Sequence, residues 1–177
     1  MNRIKHIFTL VCLAVLTISC SAERELQYSN QEAAIDKYIS GTLANYEVRR
    51  NAGSNRVIIE PSTAADSLEA GDSLSFFYAC YVFSGSPSSL ATTNVPEIAR
   101  KSNFVLTDFD STVVSIKYEN SNLCAGLYNG LKGVREREHC VILFSAKYGF
   151  AATRVNNIPP MSALCYEIWV EEVKKKK

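Results

Sequence analysis

The sequence predicts an α+β domain: an antiparallel sheet, one short crossing helix, and an N-terminal helix lying outside. Three observations carry this. Ile35, Tyr38, Ile39, Leu43 and Tyr46 recur at three- and four-residue intervals, the spacing of one helical face. Downstream the period changes to two, in Ser73 to Phe83 and again through Leu164, Tyr166, Ile168 and Val170. Between Cys124 and Leu131 lies a short helix-like piece bounded by Gly126 and Gly130.

The chain begins with a basic stretch, Arg3, Lys5 and His6, followed by an apolar run from Ile7 to Ile18. A membrane span needs about twenty apolar residues, so this shorter run reads as a secretory signal over residues 1–19. It closes in Leu16-Thr17-Ile18-Ser19-Cys20 with Ser21 next, which resembles a bacterial lipobox, although Thr17 stands where Leu is usual. Cys20 is therefore the expected lipidation site, against the alternative of an ordinary signal peptide. The expected location is the bacterial cell envelope, with the chain held to a membrane by its lipid. Loss of residues 1–19 removes Arg3 and Lys5 and no acid, moving the net charge from +1 to −1.

Residues 20–30 then read as the lipidated cysteine and a polar tether, and Ser29-x-x-Glu32 has capping-box spacing for a helix start. Gly41 is a candidate interruption of that helix. Val57-Ile58-Ile59, closed by Pro61, reads as a short strand, and residues 62–72 as a turn-rich connection. In the next strand Leu74, Phe76, Tyr78, Cys80 and Val82 share one face, while Phe77, Tyr81 and Phe83 share the other. Both faces are thus covered, as in a central strand. Ser84 to Asn94, rich in Ser and Thr and containing Pro87, reads as a loop. Cys140 to Phe144 is a further strand. His139 and the pairs Arg135/Glu136 and Arg137/Glu138 read as a solvated turn, and Lys174–Lys177 as a solvated basic tail.

Composition narrows the function. The 177 residues are 47% hydrophobic and 21% charged, with eight Gly and five Pro, which excludes a collagen-like, mucin-like or disordered chain. Nineteen Lys and Arg against eighteen Asp and Glu mark no nucleic-acid partner. Two histidines exclude a histidine-rich metal site, and no C-x-x-C spacing offers a zinc ribbon. No metal or cofactor is expected. Cys80, Cys124, Cys140 and Cys165 would allow three disulfide pairings; their apolar surroundings favour free core thiols.

The carboxy-terminal half resembles a known family. Gly126-Leu127-Tyr128-Asn129-Gly130-Leu131-Lys132-Gly133-Val134-Arg135-Glu136-Arg137-Glu138 is similar to the FKBP pattern G-W-x-x-G-L-x-G-M-x-x-G-E. Lys147-Tyr148-Gly149 resembles its A-Y-G, and Ile158-Pro159-Pro160-Met161-Ser162-Ala163-Leu164 its I-P-P-x-x-x-L. Tyr166-Glu167-Ile168 resembles its F-x-V, and Gly71-Asp72-Ser73-Leu74-Ser75-Phe76-Phe77-Tyr78 its G-D-x-V-x-V-x-Y. These motifs fall in the family's order across residues 70–173, with 31–69 as an N-terminal helical extension and connection and 174–177 as the tail.

The resemblance implies a five-stranded antiparallel sheet curled round a short helix, with a proline-shaped apolar pocket between them. It implies a peptidyl-prolyl cis–trans isomerase acting on proline-containing polypeptides as envelope proteins fold, as a monomer. Tyr78, Tyr148 and Tyr166 take the catalytic positions, with the Tyr148 hydroxyl on the substrate carbonyl. Leu123 and Cys124 take the family's Val–Ile positions, where the second backbone N–H meets the ligand, and Ile158 precedes Pro-Pro. Leu127 replaces the tryptophan of the pocket floor, and Val114 stands where a Phe lines the wall. The family's Phe-Asp pair finds its nearest alignment in Leu90-Ala91. These departures keep a second reading open, a catalytically silent module of the same fold that binds a peptide or partner.

Overall fold

A computed structural model describes the backbone of residues 2–106 and 111–177, and side chains over 21–106, 111–121 and 123–177. Its spine is a pair of long antiparallel strands, β3 (Ser73–Phe83) and β7 (Ala163–Lys174), matched from Ser73 opposite Lys174 to Phe83 opposite Ala163. Beyond β7 come β6 (His139–Phe144), β2 (Ser54–Glu60) and β1 (Glu47–Asn51). On the other side, β4 (Pro87–Thr93) and β5 (Val114–Lys117) pair successive parts of β3. Every pairing is antiparallel. The sheet has seven strands rather than five, because β1 adds an edge and β4 and β5 share one side of β3. It therefore begins at Glu47, well ahead of residue 70.

Alternation along β3, β6 and β7, broken by a bulge in β7 between Val170 and Glu172, divides the core in two. Leu74, Phe76, Cys80, Ile142, Phe144, Leu164, Tyr166 and Ile168 face the concave side. There they meet α3 (Ala125–Leu131) through Leu127 and Leu131. Gly126 and Gly130 let this helix lie directly on β6, since a Cβ at either would collide with the Phe144 ring or with Ile142. On the back, Val57, Phe83, Leu143, Ala163 and Cys165 meet Ile35 and Ile39 of α1 (Asn2–Thr42).

That helix corrects the expected start. It runs 41 residues, about 60 Å at 1.5 Å per residue, so residues 21–30 are helical and Ser29 caps nothing. Tyr28 is already buried, Glu32 accepts a hydrogen bond from Ser145 Oγ at 3.0 Å, and Gly41 leaves the helix unbroken. The Cys20 side chain lies outside the described residues. Among the described residues no helix is long and apolar enough to cross a membrane.

Four other readings change. The 84–94 loop contains β4: its Thr residues suit an edge strand, and Pro87 sits at its first position, where no ladder N–H is required. A short helix, α2 (Pro96–Lys101), follows it. The 135–138 turn is solvated only in part: Arg137 is exposed, but the two ends of the turn are tied into the fold. Glu138 is 3% exposed and faces Arg56, 2% exposed, at 3.5 Å, and Arg135 donates to the carbonyls of Ala64 and Ala65. Arg56 also donates to the carbonyls of Lys132 at 3.0 Å and of Gly130 and Gly133, closing the end of α3. His139 is largely buried, hydrogen-bonded to Glu167 at 3.0 Å and stacked on Trp169.

The basic tail is pinned as well. Lys175 Nζ reaches Asp72 at 2.7 Å and Glu69 at 3.1 Å, and the Lys176 N–H donates to Asp72 Oδ1 at 2.9 Å. Asp72 is fully buried and also accepts the Glu69 N–H at 2.8 Å. These bonds outweigh burial and hold its carboxyl down at about 2. The Gly-Asp of the first motif is thus a staple between the entry to β3 and the exit of β7.

Candidate functional site

The site is built where β4 meets the middle of β3. Tyr78 projects from β3 on the concave side, its ring 6.0 Å from Phe76 and 6.3 Å from Tyr166. Its hydroxyl lies 3.2 Å from Thr92 Oγ1 on β4. Its backbone is locked to the same strand: the Tyr78 N–H donates to Asn94 Oδ1 at 2.6 Å, and Thr93 Oγ1 donates to the Tyr78 carbonyl at 2.7 Å. Asn94, 2% exposed, also donates to the Thr112 carbonyl at 2.9 Å, so one buried amide ties three segments together.

Beside Tyr78 opens a cavity of about 440 Å³, lined among others by Thr92, Asn94, Phe104, Val105 and Val114. Its mouth is apolar: Val105 is 89% exposed and Val113 41% exposed. Among the described residues no charged side chain lines it. Exposed valines beside a tyrosine and a ladder of hydroxyls suit an uncharged, largely apolar guest with one or two polar atoms.

Behind this opening the concave cluster is closed. Tyr166 is 8% exposed and stacked with Phe144 at 5.9 Å. Burial pushes its hydroxyl well above the ordinary value, and its contact with Cys80 adds to this. Burial likewise pushes the Cys80 thiol up to about 12 and raises Cys124. These thiols are therefore protonated, and Cys80, Cys124, Cys140 and Cys165 are all free. Among the described residues no group of three His, Cys, Asp or Glu side chains could hold a metal ion.

Comparison with known proteins decides the fold. The chain is similar to a structure of the three FKBP domains of wheat FKBP73, with a TM-score of 0.57 and 11% identity, over 74% of this chain and 50% of that one. It is also similar to FkpA from Escherichia coli, with a TM-score of 0.58 and 17% identity, over 94% of this chain and 70% of that one. The chain has an FKBP-type fold. It spans half the length of the wheat three-domain structure. No protein-family model matches the sequence, and no curated protein matches it.

Within this FKBP-type fold the expected site residues divide. Tyr78 and Val114 line the open cavity. Tyr166, Leu127 and Ile158 belong to the closed cluster behind it, with Leu127 6% and Ile158 5% exposed, and half-buried Leu123 and Cys124 flank them at the start of α3. Leu90 of β4 is paired with Tyr81 of β3, Ala91 is buried in the concave cluster, and the β4 side chain that meets the Tyr78 hydroxyl is Thr92. The tyrosine partner thus lies one position beyond the expected Leu90-Ala91 pair, because the β3–β4 register shifts between Cys80 and Tyr81.

Tyr148 does not line the cavity beside Tyr78. Its ring lies over Gly53, where φ is +82° and any Cβ would occupy the ring's place. It lines a different depression, of about 270 Å³, with Glu32, Asp36, Arg50 and Asn51. Tyr148 and Phe150 both pack against the concave cluster, as Tyr78 and Val114 do. Sequence reasoning missed Thr92, Asn94, Phe104 and Phe150. Only Phe150 carried a signal, an aromatic at alternate spacing from Tyr148.

Proposed function

We propose that this chain binds proline-containing polypeptide segments at the Tyr78 cavity and accelerates cis–trans isomerisation of their X–Pro bonds. The observation that carries the reading is the Tyr78–Thr92 pair at the wall of a cavity whose described lining residues carry no charge, in an FKBP-type fold. Rotation about an X–Pro bond is slow because amide resonance resists it, with a barrier of roughly 18–20 kcal/mol, so the free reaction takes tens to hundreds of seconds. Twisting removes the resonance and its charge separation. An apolar cavity therefore favours the twisted amide over the planar one, and catalysis is differential binding without nucleophile, metal or cofactor. Each ~1.4 kcal/mol of such preference is about tenfold in rate.

A second reading, binding without catalysis, is favoured by Leu127 and Tyr148. Leu127 gives an aliphatic floor already covered by its neighbours, and the Tyr148 ring is held over Gly53. The two readings part in one experiment: a panel of X–Pro peptides, with cis–trans exchange and binding measured together on the full chain in detergent. Isomerisation predicts faster exchange, the silent module predicts binding alone, and neither response would reject both.

The basic and apolar start of the sequence supports placing this activity in the bacterial envelope, on exported polypeptides, with Cys20 as the lipid anchor. Cys20→Ser should release the chain from the membrane fraction. Unchanged membrane association would reject the anchor.

A further inference from the structure

The chain between β6 and β7 brings Tyr148, Phe150 and Ile158 to the concave cluster, and α1 holds it at its base. Leaving β6, the backbone N–H of Ala146 donates to Gln31 Oε1 at 2.9 Å. Just before β7, the Met161 carbonyl accepts Gln31 Nε2 at 2.7 Å. One side-chain amide on the back of the molecule thus brackets residues 147–160. Glu32 adds a bond from the fully buried Ser145 hydroxyl at 3.0 Å. Between these fixed points Phe150 and Ile158 enter the concave cluster, and Asn157 Nδ2 reaches the Ala91 carbonyl at 3.3 Å, one residue from Thr92.

The residue type matters. Closing this loop needs an acceptor for an N–H and a donor for a carbonyl within one group; an amide offers both, whereas a carboxylate cannot donate and an ammonium cannot accept. The loop base is also conformationally demanding, with Ala151 at φ +47° and Met161 at φ +58°, joined by a 2.6 Å bond from the Met161 N–H to the Ala151 carbonyl. Non-glycine residues hold such angles only where surrounding bonds fix them.

We infer that Gln31 is a positioning residue: through the 146–161 loop, α1 sets where Phe150 and Ile158 stand and thereby tunes how the site receives a prolyl segment. The last step rests on the proposed function at the Tyr78 cavity. The nearby Lys147–Glu25 pair, 45% and 64% exposed, is too solvated to do the same.

The test uses the full chain in detergent, with amide hydrogen exchange read by segment and the affinity of an X–Pro peptide measured in parallel. Gln31→Ala should speed exchange over 146–161 about tenfold, equivalent to ~1.4 kcal/mol, while β6 and β7 keep their protection. It should weaken peptide binding at least about threefold. Gln31→Glu retains the Ala146 bond but sets an acceptor against the Met161 carbonyl, and should fall between wild type and Gln31→Ala. Glu25→Gln should change neither readout. Exchange that stays unchanged over 146–161, or rises equally through both strands, would overturn the clamp. A loosened loop with undiminished peptide affinity would overturn its positioning role. If the natural chain binds no X–Pro peptide, the proposed function falls, and the exchange arm alone decides whether Gln31 holds the loop.

Discussion

The two faces of the sheet are built from the same alternation yet differ in kind. The back is a helix-on-sheet seam: Ile35 and Ile39 of α1 pack with Val57, Leu143 and Ala163, beside Cys165 and an edge-on Tyr38–Phe83 pair. The concave face carries the larger aromatic cluster, with Phe76, Tyr78, Tyr118, Phe144 and Tyr166, and it opens beside Tyr78 into the cavity of about 440 Å³. A tyrosine in a core brings an apolar body with a polar tip that must be satisfied, and three here find a partner. Tyr118 donates to the Tyr128 carbonyl at 2.7 Å, Tyr78 meets Thr92, and Tyr166 meets Cys80. The difference teaches which residues serve stability and which also serve a guest. A back-face substitution should act on folding alone, and a concave one on both.

The largest effect should come from beneath α3, where the two faces join through a buried ion pair. Arg56→Met leaves Glu138 charged, buried and unpaired, and should cost about 3–5 kcal/mol. Glu138 is already pushed above the usual carboxylate range by its burial, with Arg56 opposing the shift. Adding Glu138→Gln to Arg56→Met should recover part of the loss, which urea denaturation would measure. No recovery would mean that the carbonyl bonds of Arg56, rather than its charge, dominate.

Next come the paired truncations. Leu143→Ala on the back, at 0% exposed, and Leu127→Ala on the concave side, at 6%, should each cost about 2–5 kcal/mol of stability. Only Leu127→Ala should shift the affinity of the folded molecule for an X–Pro peptide beyond about twofold. Equal shifts from both would remove the distinction between the faces.

A smaller effect concerns the staple between strand ends. The carboxyl of Asp72 is held below its unfolded value near 3.9, at about 2. Its contribution is therefore present above pH 4 and lost as pH falls through about 2. Asp72→Asn should lower stability at pH 7 by about 1–2 kcal/mol, and the gap from wild type should close in acid. A gap that persists below pH 2 would assign the role of Asp72 to shape rather than charge.

Much of this was legible because it rests on alternation. Leu74 to Val82 and Leu164 to Val170 sort onto faces by a period of two, and Gly126 and Gly130 mark where a helix must touch a strand. What was not legible depended on partners distant in sequence. Ser and Thr at 84–94 look like a loop until β3 offers its edge. Glu138 and His139 look solvated until Arg56 and Trp169 arrive from elsewhere. The site was half readable. Tyr78 lies in an unbroken alternating strand, so its face was determined, whereas Thr92 depends on a register shift and Tyr148 on the hairpin carrying Gly53, neither of which leaves a local pattern.

The central claim is that the opening at Tyr78 receives an X–Pro segment and eases its rotation. The most direct measurement is exchange NMR of cis and trans peptide with a catalytic amount of the full chain, in wild type and in Tyr78→Phe. The account predicts faster exchange with wild type, reduced about two- to tenfold in Tyr78→Phe, and peptide-induced shifts at Tyr78, Phe104 and Val114. Exchange at the uncatalysed rate, with no shift at those residues, would contradict it.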